Sequence, residues 1–319
     1  MNGAWILLER GADLETLKGR LAELGQWANP IEGGGRRGLV LAPASAGVEP
    51  AALRALDGVE AVLMPPSPHP LVDGQRGRDL LDRDGRGPVL MAGPCSAESE
   101  GQVFAAAKLA YTAGATWLRG GAYKPRTSPY AFAGEGRCAL GWLRRAADEH
   151  EMKLVTEVMS EGAVEEVAAF ADMLQIGSRN MQNYSLLRVA GSVERPVLLK
   201  RGAAATVDEW LLAGEHLLLA GAESVLFCER GLRSWDPHLR NLPDLAAVAT
   251  LKHVYGQTVV FDPSHATGRR DLIAVMSRAA VAAGADGLLV EVHPDPASAR
   301  SDGPQALSAQ ELRGLLDAG

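Results

Sequence analysis

Pro88-Val89-Leu90-Met91-Ala92, running into Gly93-Pro94-Cys95-Ser96-Ala97-Glu98, decides between two folds. A short apolar run that opens a strand–helix alternation suits either a doubly wound open sheet or a closed barrel. A dinucleotide-binding open sheet would place Gly-x-Gly-x-x-Gly directly after this strand, and no such turn is there. Seven more short apolar runs follow: Thr116–Arg119, Lys153–Glu157, Met173–Ile176, Val197–Lys200, Ser224–Cys228, Thr258–Asp262 and Gly287–Glu291. Each is followed by a plausible helix, with Met181–Ala190 the shortest and Gln305–Ala318 closing the set. Eight such units over about 230 residues predict a (β/α)8 TIM barrel across residues 88–319.

Residues 1–64 read differently. Trp5-Ile6-Leu7-Leu8 is a strand, and Asp13 can cap a helix that places Leu14, Leu17 and Leu21 on one face and stops at Gly25. A strand through Ile31, a turn at Gly33-Gly34-Gly35, a strand Gly38–Leu41, a helix Pro50–Leu56 and a strand Val59–Met64 complete the unit. The order β-α-β-β-α-β predicts a small α+β domain of ferredoxin-like pattern. Residues 65–87, with Pro65, Pro66, Pro68 and Pro70 among arginines and aspartates, read as a linker.

The chain has 319 residues, 47% of them hydrophobic, enough for a sizeable core. Its net charge of -7 argues against nucleic acid or an anionic membrane as the main partner, so cations that matter must be clustered locally. No run of eighteen apolar residues and no secretory signal pattern is present, and a cytoplasmic protein is the expectation. Cys95, Cys138 and Cys228 are an odd set at irregular spacing and do not form a disulfide framework. Cys138 and Cys228 read as structural.

In a (β/α)8 barrel the active site lies at the C-terminal ends of the strands. The second strand ends at Arg119 and enters Gly120-Gly121-Ala122-Tyr123-Lys124-Pro125-Arg126-Thr127-Ser128-Pro129-Tyr130. Two prolines stiffen this loop and aim its cations before a ligand arrives, as a phosphate or carboxylate clamp requires. With the other strand ends, Arg119, Lys124, Arg179, Lys200 and Arg230 would converge on one mouth. Five like charges are tolerable there if a dianion or trianion fills the space. Cys95, His265, Glu291 and Asp302 form a second group, from strands 7, 8 and 1, which are neighbours once the barrel closes. One sulfur, one imidazole and two carboxylates suit a borderline divalent ion such as Mn, Fe, Co or Zn. Singly, each residue has an ordinary reading: a rim cation, a small core cysteine, a turn-capping histidine, a glutamate paired with an arginine. Lys124 or a metal-bound water could move a proton, whereas His265 would be occupied as a ligand.

Together these motifs resemble the 3-deoxy-D-arabino-heptulosonate 7-phosphate (DAHP) synthases of the type carrying an N-terminal ferredoxin-like domain. The resemblance runs through Ala92–Ser96, Arg119–Tyr130, Gln175–Asn183, Leu198–Gly202, Cys228–Gly231, Asp262–His265, Glu291–Pro294 and Ser301–Gly303, in the family's order. It implies condensation of phosphoenolpyruvate with erythrose 4-phosphate, the first step of the shikimate pathway. It also implies that Arg119, Lys124, Arg179, Lys200 and Arg230 hold phosphoenolpyruvate and that Arg126 and Thr127 bind the aldose phosphate. Cys95, His265, Glu291 and Asp302 would hold a divalent metal, manganese first and Co, Fe or Zn as alternatives. Lys124, Cys95 and His265 would be the catalytic residues. The small domain would be regulatory, with tyrosine or phenylalanine as effector, and the enzyme a homo-oligomer, a tetramer.

The related 3-deoxy-octulosonate 8-phosphate synthases usually carry Lys-Ala-Asn-Arg-Ser where this chain has Lys124-Pro125-Arg126-Thr127-Ser128, which favours the four-carbon sugar. The same chemistry on another aldose phosphate, or in specialised metabolism, is the alternative. A regulatory partner with weak catalysis is a third, disfavoured because every proposed ligand and clamp residue is retained. The chain departs from the family at Leu239–Asp244, where Thr-Arg-Asn-Thr-Leu-Asp is frequent, at Ala133 and at Thr267.

Overall fold

Along the first strand, Ile6 and Leu8 are buried while Trp5 is exposed, and this alternation gives the small unit its one packed face. The computed structural model describes residues 4–42, 48–83, 85, 87–124 and 128–315. It divides into two units, Met1–Pro68 and His69–Gly319. In the first unit β1 (Trp5–Leu8), β2 (Ala28–Gly33), β3 (Arg36–Leu41) and β4 (Val59–Leu63) form a sheet in the order β2-β3-β1-β4. The described pairs are antiparallel. Asp13 caps helix Leu14–Glu23 through bonds from the N–H groups of Glu15 and Thr16. That helix and Pro50–Arg54 carry Leu17, Leu21 and Leu53 into one core with Ile6, Leu8, Leu39 and Leu41.

In the second unit eight parallel strands close into a barrel. They are β5 (Val89–Gly93), β6 (Trp117–Arg119), β7 (Lys153–Val158), β8 (Met173–Ile176), β9 (Val197–Lys200), β10 (Val225–Glu229), β11 (Val259–Phe261) and β12 (Gly287–Glu291). β12 pairs with β5 from Gly287↔Val89 to Glu291↔Gly93 and shuts the ring. Met91, Trp117, Val155, Met173, Leu198, Leu226, Val260 and Leu289 share one cluster, one residue from each strand. Their neighbours in sequence, such as Leu90, Leu118, Leu154, Leu199, Phe227 and Leu288, join a separate cluster with helix residues. The period of two therefore sorts each strand into an inner face filling the barrel and an outer face covered by helices. β6 and β11 have three residues each, so burial holds them in place: each fully buried large side chain contributes roughly 1.5–3 kcal/mol.

The helices follow local signals. Thr206 and Glu209 form a reciprocal capping box on Val207–Ala220, and Gly221, at φ 114°, ends it in the left-handed region. Two expectations shift. Residues 69–83 are not a free connector: Val72 packs into the outer core, Gln75 bonds both the N–H and C=O of Val225, and Leu81 joins the inner cluster. Cys138 is exposed at the start of helix Arg137–Glu149 and has no packing role, while Cys228 is buried as expected. Among the described residues, no helix is long and apolar enough to cross a membrane.

Candidate active site

The parity that builds the inner cluster also places the chemistry. Two residues beyond Trp117, Val155, Met173, Leu198, Val260 and Leu289 lie Arg119, Glu157, Gln175, Lys200, Asp262 and Glu291. Two beyond Cys228 lies Arg230, and four beyond Met91 lies Cys95. The apolar filling of the barrel thus gives way to polar side chains at the C-terminal end of every strand. Gly177 leaves room in this layer for a neighbouring carboxylate: a Cβ there would lie 2.0 Å from Glu157 Oε1.

A cavity of about 500 Å³ opens there, lined by Arg119, Lys124, Arg179, Lys200 and Arg230 together with His265 and Asp302. All five expected clamp cations reach it. Arg126 and Thr127 lie outside the described residues. Arg119 is buried; its NH1 donates to the Pro94 carbonyl at 3.1 Å and to Glu291 Oε1 at 3.0 Å, and its Nε has no hydrogen-bond partner among the described residues. Lys124 Nζ donates to the Cys95 carbonyl at 2.8 Å and to Cys95 Sγ at 3.0 Å. Arg201, next to Lys200, turns away into structure. It donates to Glu229 and Asp244 at 3.0 and 2.7 Å, beneath Trp210.

Cys95, His265, Glu291 and Asp302 bring one donor atom each to within 4.8 Å of one another. The Cys95 thiol donates to Asp302 Oδ2 at 3.1 Å. Burial, reinforced by the charge of Glu291, pushes that thiol up to about 11, so without a cation it keeps its proton. Burial also opposes charge on Glu291, but the charge His265 carries once protonated and the Arg119 guanidinium pull it below the usual carboxylate range. Against the same burial, protonated His265 and Arg240 bring Asp302 down to about 2. Burial holds His265 below its ordinary value and therefore neutral. Asp262 accepts from His265 Nδ1 at 2.8 Å, which leaves the Nε2 lone pair facing Glu291 Oε1 at 3.3 Å and Asp302 Oδ2 at 3.8 Å. A lone pair and two ionised oxygens facing one another repel; a divalent cation among them would turn that repulsion into ligation. The donor set therefore fits a metal, and Asp262 orients its imidazole as metal-bound histidines require.

Further polar groups hold this set. Gln305 Nε2 donates to Glu291 Oε2 at 2.6 Å, while its Oε1 accepts from Arg240 at 2.9 Å. Arg240 also donates to Asp302 Oδ1 at 3.1 Å. Asp302 sits at φ 53°, a left-handed conformation costing of order 1–3 kcal/mol, kept by these contacts and by a bond to its carbonyl from Gln305 N at 3.1 Å. The sequence reading gave no site role to Glu157, Arg233, Arg240, Asn241 or Gln305. Glu157 was within reach, because it follows the inner-facing Val155 by two; Gln305 carries no local signal.

The DAHP synthetase I family matches residues 75–318 of the chain. A phospho-2-dehydro-3-deoxyheptonate aldolase of Thermotoga maritima is 46% identical over 237 residues, 72% of this chain and 70% of that protein. A 2-dehydro-3-deoxyphosphooctonate aldolase of Acidithiobacillus ferrooxidans is 31% identical over 245 residues, 71% of this chain and 86% of that one. The crystal structure of a Thermotoga maritima phospho-2-dehydro-3-deoxyheptonate aldolase (DAHP synthase) superposes with a TM-score of 0.75 at 37% identity, covering 99% of this chain and 96% of its own.

Proposed function

Since the chain belongs to the DAHP synthetase I family, we propose that its barrel mouth joins phosphoenolpyruvate to erythrose 4-phosphate, giving DAHP and phosphate. The observation that carries this is one cavity in which the five expected cations, joined by Arg233 and Arg240, stand beside a four-residue donor set. Arg119, Lys124, Arg179, Lys200 and Arg230 take the carboxylate and phosphate of phosphoenolpyruvate. Two of them are tied to fixed acceptors already, which preorganises that part of the clamp: Arg119 to Glu291 and Lys124 to the Cys95 carbonyl. The buried Arg119 Nε is a donor left for the ligand to use. Arg126 and Thr127 receive the aldose phosphate, so that the aldehyde carbon meets C3 of phosphoenolpyruvate. A new C–C bond forms there, water adds at C2, and the C2–O bond to phosphate breaks. Lys124 Nζ supplies positive charge, and a proton when needed, beside the developing alkoxide.

Cys95, His265, Glu291 and Asp302 would hold a divalent cation, whose contribution when bound is to polarise the aldehyde oxygen as a Lewis acid. Manganese is the ion we favour, on the resemblance, with Co, Fe and Zn accepted by the same mixed donors. Loss of phosphoenolpyruvate absorbance, followed with erythrose 4-phosphate and arabinose 5-phosphate in parallel, tests the assignment. The expected result is consumption with the four-carbon sugar that stops with chelator and returns with Mn(II). Preference for the five-carbon sugar would move the chain to the octulosonate reaction of its 31% identical relatives.

The first unit we assign to regulation by tyrosine or phenylalanine, and the enzyme to a homotetramer; both rest on the resemblance. Removing residues 1–68 should abolish inhibition by these amino acids and spare turnover, with light scattering reporting the mass before and after. Loss of inhibition and turnover together would sink the regulatory assignment.

A further inference from the structure

Asp262 ends β11's run into the helix Pro263–Thr267 and is fully buried. Its Oδ1 accepts the backbone N–H of His265 at 2.9 Å, which caps that helix. Its Oδ2 accepts from two donors at once: Lys200 Nζ at 2.5 Å and His265 Nδ1 at 2.8 Å. Lys200 belongs to the anion clamp and His265 to the donor set, so one oxygen atom serves both halves of the site.

We propose that Asp262 is a positioning residue that makes binding of phosphoenolpyruvate and binding of the divalent cation mutually reinforcing. The inference rests on the functional reading above. Two donors sharing one acceptor oxygen compete, and each bond is weaker than it would be alone. An arriving phosphate or carboxylate engages the Lys200 ammonium and draws it from Oδ2. That oxygen then serves the His265 Nδ1–H alone, and a stronger bond there makes Nε2 a better electron-pair donor to a cation. Linkage requires the reverse as well: a cation on Nε2 strengthens the Nδ1–H bond, loosens Lys200 and frees its ammonium for the anion, by the same factor. Asp262 is buried and its partners come from β9 and the helix after β11, both part of the barrel, so the exchange needs only a small movement of one lysine head group.

The test is binding rather than turnover. Calorimetry measures phosphoenolpyruvate affinity for the full chain, metal-stripped and Mn(II)-saturated, in wild type and in Asp262→Asn. The wild-type ratio of the two affinities should be on the order of 5–150-fold. Asn keeps an oxygen for the helix cap but puts an amide N–H2 where Oδ2 stands, so the ratio should fall toward one. A purely structural role would weaken both states alike and preserve the ratio. Should Asp262→Asn fail to fold by circular dichroism, Lys200→Met carries the test: without phosphoenolpyruvate it should bind Mn(II) more tightly than wild type, approaching the affinity that saturating phosphoenolpyruvate induces. An unchanged ratio in folded Asp262→Asn, unchanged or weaker Mn(II) binding by Lys200→Met, or no coupling in wild type overturns the inference alone. Failure of wild type to bind phosphoenolpyruvate in either state overturns the functional reading and this inference with it.

Discussion

Cys95→Ala should leave a folded barrel whose turnover has fallen on the order of 10³-fold, because several kcal/mol of Lewis-acid stabilisation goes with the fourth ligand. The fold should survive: the substitution removes one sulfur at a buried position and leaves the Cys95 carbonyl, which holds Lys124 at 2.8 Å. The clamp then stays in place, and the loss belongs to the donor set. A second readout comes from the same thiol. It is protonated at neutral pH, its ordinary value raised to about 11 by burial, whereas His265 is neutral and Glu291 and Asp302 are ionised. Metal uptake must therefore expel one proton, and apparent affinity should rise about tenfold per pH unit through the neutral range. Calorimetry in buffers of different ionisation enthalpy should count close to one proton released by wild type and none by Cys95→Ala. Full turnover in chelator-stripped Cys95→Ala would refute the donor set.

The second large effect is on stability. Gly93→Ala should cost about 3 kcal/mol or more and lower soluble yield. The added Cβ would lie 1.9 Å from the backbone carbonyl oxygen of Arg119 and 3.0 Å from its carbonyl carbon. No flexible side-chain end is available to give way; β5 and β6 must separate, and they pair through Met91↔Trp117 and Ala92↔Leu118. Gly101, in the helix Glu100–Thr112, has no atom within 4 Å of its would-be Cβ. Gly101→Ala should instead stabilise by roughly 0.4–1 kcal/mol. Urea midpoints of the two variants decide the matter: equal midpoints would mean that the strand contact is softer than its geometry says.

Much of this site was legible because barrel strands are short, apolar and of fixed parity. The count of eight runs was enough to predict the barrel, and reading off the strand ends found Arg119, Lys200, His265 and Glu291 without any contact information. What stayed hidden was long-range pairing. Asp262 has no role that its sequence context assigns, because its bond to Lys200 spans 62 residues and no local spacing predicts it. Arg240, in the loop after β10, reaches Asp302 and Gln305 across 62 and 65 residues of chain, and Gln305 turns back 14 residues to Glu291. Residues 69–87 misled for the opposite reason. Proline and charge mark a connector in sequence, and only tertiary packing shows Val72, Gln75 and Leu81 to be buried.

Leu81 also has a meaning for traffic. It lies against the start of β12, its Cδ1 3.3 Å from where a Cβ of Gly287 would stand, and belongs to the same apolar cluster as the inner strand residues. Leu81 helps fill the barrel at the start of its strands, and the polar cavity opens at their C-terminal ends. Phosphoenolpyruvate must arrive, and inorganic phosphate and the seven-carbon sugar must leave, past the same cationic rim. A departing phosphate therefore stands in the way of the next phosphoenolpyruvate, because both anions are held by the same cations.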